Sequence, residues 1–198
     1  QLGTSSSESA KGITSDSSGN VYVTGSTSGG LDGNTKAGSF YDNDIFVVKY
    51  NSAGVKQWTQ QLGTSSTDRA QGIATDSSDN VYMTGYTDGG LDDNTNAGSL
   101  DLFVIKYNSS GVKQWTKQLG TSSSESAKGI TSDSSGNVYV TGYTYGALDG
   151  SNAGQEDIFV VKYNSDGVKQ WTQQLGTSSS ESAKGITSDS SGNVYVTG

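Results

Sequence analysis

The strongest constraint on this chain is that it repeats itself. QLGTSSSESAKGITSDSSGNVYVTG fills positions 1–25, returns letter for letter at 118–142 and again at 174–198, and an edited copy runs from Gln61 to Gly85. A repeat of this length is one supersecondary unit, too thin to bury its own apolar faces, so copies stack and cover one another. The units span residues 1–60, 61–117 and 118–173, with a half unit at 174–198. We treat residues 1–198 as one repeat array rather than as separate domains.

Within the first unit, Gln1-Leu2-Gly3 looks like the tail of a strand, because the same letters close the run after Trp58. A polar loop follows from Thr4 to Ala10, then a short strand from Gly12 to Asp16. Asp16-Ser17-Ser18-Gly19-Asn20 has tight-turn chemistry, with Gly and Asn where positive φ is needed. Val21 to Thr24 alternates, Val21 and Val23 on one face and Tyr22 on the other. The long stretch SGGLDGNTKAGSFYDN is turn-rich. Ile45 to Tyr50 is continuously apolar up to Lys49, as in a strand buried on both faces. A second turn, Asn51 to Gly54, leads into an amphipathic strand around Trp58. No stretch holds a helical apolar period. Unit length varies only in the long loop, where FYDNDIF becomes LDLF and then QEDIF. Trp58, Trp115 and Trp171 recur in phase with the fold, as packing residues between units do.

The hydrophobic fraction, 30%, is low enough to suggest disorder, but the apolar residues are gathered into short Val-, Ile-, Phe- and Tyr-rich runs that suit strands. A net charge of −8 disfavours nucleic acid and anionic lipid as partners. No apolar run approaches the ~20 residues of a membrane helix. Cysteine and histidine are both absent. Disulfides and thiolate sites are thereby excluded, and the commonest general base and transition-metal ligand is missing. With no Met at position 1, a mature or excised fragment is expected.

GITSDSSGNVYVTG, then LDGNTKAG, then DIFVVKYNSAGVKQWTQQLG, in this order in each complete unit, resembles the SBBP-type repeat, named for a seven-bladed β-propeller. The resemblance covers essentially the whole chain. It implies an all-β propeller of four-stranded antiparallel blades and points toward surface and secreted proteins of bacteria and archaea, without implying one activity. Three complete units and the first half of a fourth do not make an ordinary ring. A piece of a longer array, an exchanged-strand oligomer and an open stack of blades all answer that count. The unpaired edge after Thr197 would otherwise invite aggregation, which favours the longer array or self-association.

In an up-and-down sheet the two tight turns share one rim, and the long GGLDGNT and SSSESAKG loops share the other. Loops of variable length on a rigid scaffold are the usual seat of binding. On that rim Asp32, Asn34, Asp92, Asp93, Asn94, Asn96, Asp149 and Asn152 are candidate oxygen ligands for calcium. The same residue types also cap turns without metal. Asp44, Asp101 and Asp157, each at the head of the third strand, read either as ligands or as acceptors for backbone N–H groups of a neighbouring blade. Glu8, Glu125 and Glu181 lie in Ser-rich loops with no second carboxylate fixed beside them, and no His exists to activate a Ser or Thr. Tyr86, Tyr143 and Tyr145 suit sugar stacking or inter-blade packing. Lys49, Lys106 and Lys162, inside apolar strands, need a carboxylate across the blade junction or a route to water.

The expectation is a non-enzymatic extracellular or cell-surface scaffold for structural assembly or protein interaction. Its partners would be further copies or the rest of a longer array. The alternative is a multivalent binding module with calcium or glycan pockets on the long-loop rim.

Overall fold

A computed structural model describes residues 2–39 and 41–198. Gln1 of the expected strand tail and Phe40 of the long loop lie outside the described residues. The first sheet is β1 (Glu8–Ser15), β2 (Val21–Thr27), β3 (Asp44–Tyr50) and β4 (Lys56–Leu62), in that spatial order. The second is β5 (Asp68–Thr75), β6 (Val81–Thr87), β7 (Asp101–Tyr107) and β8 (Lys113–Leu119). The third is β9 (Glu125–Ser132), β10 (Val138–Thr144), β11 (Asp157–Tyr163) and β12 (Lys169–Leu175). A two-stranded ladder, β13 (Gly185–Ser188) with β14 (Val194–Thr197), follows. Every pairing is antiparallel, so consecutive connections fall on alternate rims.

The sheets meet along their first strands. β1 lies against β5, β5 against β9 and β9 against β13, whereas β4, β8 and β12 make no comparable approach to one another among the described residues. The blades therefore converge at one edge and fan apart at the other, which is propeller geometry.

Alternation along each strand explains how a chain poor in apolar residues still forms a core. In β2 and β3, Tyr22, Ile45 and Val47 point toward the second blade and join Met83, Phe103, Ile105 and Tyr107. In β6 and β7, Tyr82, Leu102 and Val104 point the other way and join Val138, Val140, Phe159 and Val161. β7 is buried on both faces because a blade stands on each side of it. Each fully buried Phe or Ile contributes about 1.5–3 kcal/mol. Leu31, Phe46 and Val48 form a smaller cluster on the outward face of the first blade, with Leu2, Val23 and Tyr50 packed on it.

Three local expectations change. The first strand begins at Glu8 rather than Gly12, because SESAK, though polar, is held by β2; a bulge between Ala10 and Gly12 leaves Lys11 as the extra residue. Leu2 is not in a strand. It packs on the outward cluster of the first blade, as Leu62 packs at the first junction and Leu119 at the second. The long loops are not wholly irregular, since Leu31–Gly33 and Leu91–Asp93 form single 3-10 turns that bury Leu31 and Leu91.

Candidate functional site

The long-loop rim is built around buried carboxylates. Asp101, at the head of β7, is 1% exposed. One of its oxygens, Oδ2, accepts the Ala97 N–H at 2.9 Å and the Gln118 amide at 2.8 Å. Gln118 in turn receives the Leu91 N–H and donates to the Gly89 carbonyl, so a single Asp–Gln pair pins the loop at both ends. Asp44 with Gln61, and Asp157 with Gln174, repeat the arrangement. These acceptors serve N–H groups of their own blade, not of a neighbouring one. The other oxygen, Oδ1, of Asp44, Asp101 and Asp157 finds no hydrogen-bond donor. It fills the notch over Gly63, Gly120 and Gly176, where a Cβ would come within 1.9–2.2 Å of it.

Beside this set lies a second carboxylate that sequence reasoning placed in a loop. Glu8, Asp68, Glu125 and Glu181 each receive the backbone N–H and the hydroxyl of a threonine four residues earlier. In the complete blades they also receive a hydroxyl from the end of the second strand, Thr27, Thr87 or Thr144. Burial, and to a smaller degree the charge of Asp44, push the Asp68 carboxyl up, against the pull of its bonds from Thr87 and Thr64. Asp68 thus feels the charge of Asp44 across a blade junction, although two strands and their turn separate the two residues in the sequence.

The eight candidate calcium ligands occupy turns. Asp32 is ion-paired to Lys56, and Asp92 to Lys113 with a further bond from Thr116. Both adopt left-handed backbone, φ 54° and 49°, as does exposed Asp93 at 63°. Asn34 and Asn94 donate to the carbonyls of Leu31 and Leu91. Asn96 and Asn152 accept the N–H groups of Gly98 and Gly154, and Asp149 accepts that of Gln174. Among the described residues no group of three or more acidic side chains comes together as a metal cage would require.

On the same rim Lys128 lies over two tyrosine rings, Tyr86 of the second blade at 5.6 Å and Tyr143 of the third at 5.2 Å. Its position as the bulge residue of β9 directs it there. Burial first, then the charges of Lys184 and Lys11, lower its ammonium pKa, while Glu156 acts in the opposite sense. Tyr145 stands edge-on to Tyr143 at 5.9 Å and donates to Glu156 at 2.6 Å.

The opposite rim carries a motif the sequence signalled by spacing alone. Asp16 accepts the N–H groups of Ser18 and Asn20, the Asn20 amide and the Tyr22 hydroxyl. Asp76, Asp133 and Asp189 do the same for Tyr82, Tyr139 and Tyr195. The constant Asp-x-x-x-Asn-x-Tyr spacing in all four units would have revealed it. Over each of the first three tyrosines sits the lysine of the third strand, 5.1–5.3 Å from the ring centroid. Lys49 Nζ donates to the Ser109 carbonyl of the next blade at 3.0 Å, and Trp58 Nε1 to the same oxygen at 3.3 Å. Lys106 and Trp115 use the Ser165 carbonyl identically, at 3.0 and 3.2 Å. The lysine's partner across the junction is therefore a turn carbonyl. Among the described residues the only carboxylate within ion-pair distance of Lys49 is Asp16 of its own blade, at 3.9 Å.

The profile of the SBBP β-propeller repeat matches residues 1–32, 57–92, 114–148 and 170–198. The chain belongs to the SBBP β-propeller repeat family. Among curated proteins, an uncharacterized WD repeat-containing protein of Acanthamoeba polyphaga mimivirus is 31% identical over 162 residues, covering 67% of this chain and 12% of that protein. The regulatory protein FlaEY of Caulobacter vibrioides (strain ATCC 19089 / CIP 103742 / CB 15) is 28% identical over 189 residues, covering 85% of this chain and 20% of that protein. The SBBP array thus spans a minor part of the length of the curated relatives it matches. Both the family and the WD-repeat relative fit a repeat module of the interaction type. No helix among the described residues is long and apolar enough to cross a membrane.

Proposed function

We propose that this SBBP array is a non-enzymatic scaffold, displayed outside the cell or on its surface, that assembles with protein partners through its blade faces. The observation that carries the reading is the outward face of the first blade. Leu2, Ala10, Val23, Phe46, Val48 and Tyr50 line a groove of about 280 Å³ there. Their counterparts in the second blade, Ala70, Met83, Phe103, Ile105 and Tyr107, are buried by the first blade. The surface that is core at two junctions of the array recurs on this face, where a further blade, of a longer array or of a second copy, would pack in the same way. The near-identity of the units supports the same reading, since a catalytic centre would need one unit to depart from the rest, and no histidine serves any of them. The test is light scattering across a concentration series, with Val23→Asp as the disabling variant. Association that grows with concentration and is lost in the variant is expected. A strictly monomeric chain at every concentration would remove the reading.

A second reading, a glycan-binding rim, is favoured by one observation. Tyr145 is 47% exposed and flanks Tyr143, with the Lys128 ammonium over the Tyr143 ring. An aromatic platform with a cation beside it suits a sugar ring bearing an acidic group. Screening immobilised glycans with the intact chain and with Tyr145→Ala decides it. Retention of a glycan by the intact chain alone supports the platform.

A further inference from the structure

We propose that the inner edge of the long-loop rim, where the first strands meet, binds a polyanionic saccharide chain whose successive acidic groups engage Lys128, Lys184 and Arg69. This rests on the glycan-binding reading of the rim and names the class of glycan, one that carries carboxylate or sulfate groups at regular spacing.

Bulges make the row. In β1, β5 and β9 the extra residue is Lys11, Gln71 and Lys128, and Lys184 stands at the same place before β13. A glycine follows each of them and lets the next first strand come close. A Cβ on Gly12 would lie 3.4 Å from the Ile73 nitrogen, one on Gly72 3.3 Å from the Lys128 carbonyl oxygen, and one on Gly129 3.2 Å from the Ile186 nitrogen. Successive bulges therefore meet backbone to backbone, and their side chains read Lys-Gln-Lys-Lys along one edge. Lys184 and Lys11 are near enough for their charges to act on Lys128.

Lys128 is the most informative member, because the second blade stands on one side of its strand and β13 on the other. Its half-buried ammonium lies over the rings of Tyr86 and Tyr143, at 5.6 and 5.2 Å. Ring faces hold a cation without neutralising it. Among the described residues no carboxylate comes within ion-pair distance of it. Glu156, whose charge reaches it, is engaged by the Tyr145 hydroxyl, and fully buried Glu125 by Thr121 and Thr144. Arg69 lies directly opposite Tyr86 in the β5–β6 ladder, so it shares that side of the sheet. It is exposed and likewise has no ion pair among the described residues. Lys56 and Lys113, by contrast, are matched to Asp32 and Asp92. A chain with 20 acidic side chains against 12 basic ones has left this row without an acid. The counter-charge comes from outside, and several cations in one row call for an anion with several charges. Tyr145, 47% exposed and edge-on to Tyr143, offers a ring face to a sugar beside them, and Gln71 offers an amide to hydroxyl groups. The net charge of −8 repels a polyanion at long range, but within a Debye length of ~10 Å the local row governs.

The test titrates the full chain by calorimetry with oligogalacturonate, with the same oligomer methyl-esterified so that the backbone stays and the charge goes, and with a sulfated heparin oligosaccharide. Polyphosphate of similar charge is the fourth probe. Saturable binding of a charged oligosaccharide is expected, at least about tenfold tighter than that of the ester. Lys128→Gln should weaken it by about tenfold or more, and Lys128→Arg should retain it. Lys184→Gln, which removes no ring contact, should repeat the loss. Lys169→Gln, the same charge change at the start of β12 on the opposite rim, should leave binding unchanged. Circular dichroism confirms that each variant is folded. No saturation by either charged oligosaccharide, equal binding of the ester, polyphosphate binding as tight as the saccharides', or equal losses in Lys128→Gln and Lys169→Gln would each overturn the proposal. Retention of a neutral glycan that depends on Tyr145 alone would sink the charged row and leave the aromatic platform standing. Binding of a charged oligosaccharide that is lost in Lys128→Gln but untouched by Tyr145→Ala would do the reverse.

Discussion

Asp16 and Asp68 are both carboxylates at blade junctions, yet their environments act in opposite directions. Burial disfavours the Asp16 anion, but bonds from Asn20, Tyr22 and Ser18 outweigh it and hold the carboxyl below the usual range, as bonds from Asn137, Tyr139 and Ser135 do for Asp133. A group lowered in the native state stabilises fully above its unfolded value, about 4, and that contribution fades as pH falls through the native value. For Asp68 the native value is raised. Its contribution is greatest below about 4 and declines as pH rises through the native value. Urea midpoints measured across this range should therefore lose part of their acid-side fall in Asp16→Asn and part of their decline above pH 4 in Asp68→Asn; parallel curves for wild type and both variants would contradict the assignment. The rim aspartates invite a separate measurement. A calcium ion would have to displace Lys56 from Asp32 and Lys113 from Asp92. Millimolar calcium should accordingly shift Tm by less than roughly 2 °C, and a larger rise reversed by chelator would assign these oxygens to a cation.

Blade junctions differ in strength along the chain, and the tryptophans report it. Trp115 is half-buried, stacks near Tyr82 at 5.9 Å and donates to the third blade, whereas Trp171, 37% exposed, has the Tyr139 contact but no such carbonyl among the described residues. Trp115→Ala should cost about 2 kcal/mol or more and Trp171→Ala distinctly less, as read from urea unfolding. Hydrogen exchange should rank the strands in the same way. Amides of β6 and β7, buried on both faces, should exchange last, and those of β13 and β14 first. Much of this was legible beforehand. Period-two alternation in VYVTG and the unbroken apolar run of DIFVVKY specify which side chains point to which blade, because a strand's geometry leaves no other choice. The turns were legible for the same local reason. The start of β1 was not, since Glu8, Ser9 and Lys11 are polar and only pairing with β2 makes them a strand. Nor was the destination of Lys49 and Trp58, because the Ser109 carbonyl they share belongs to another unit and carries no side-chain signature. The candidate ligands at Asp32 and Asp92 were visible as acids in turns, but their lysine partners sit on a different strand.

Across the assembled array, a net charge of −8 opposes contact between copies while the apolar outward face of the first blade favours it. Raising salt screens the repulsion without weakening apolar burial, so association measured by light scattering should strengthen between about 0.05 and 0.5 M salt. Association that weakens with salt would mean that charged loops, not blade faces, make the contact. The position of Leu2 carries a last consequence. It seals the first blade in the manner that Leu62 seals the second, although Leu62 closes the final strand of the preceding sheet. The physical brick is therefore out of phase with the sheet: it opens with the Gln-Leu-Gly cap and ends before the next one. Recombination that joins bricks at this seam hands every newcomer its own gasket, whereas a splice one residue past the leucine leaves the plug behind on the donor, so arrays of this kind can lengthen or shorten by whole bricks without redesigning a junction.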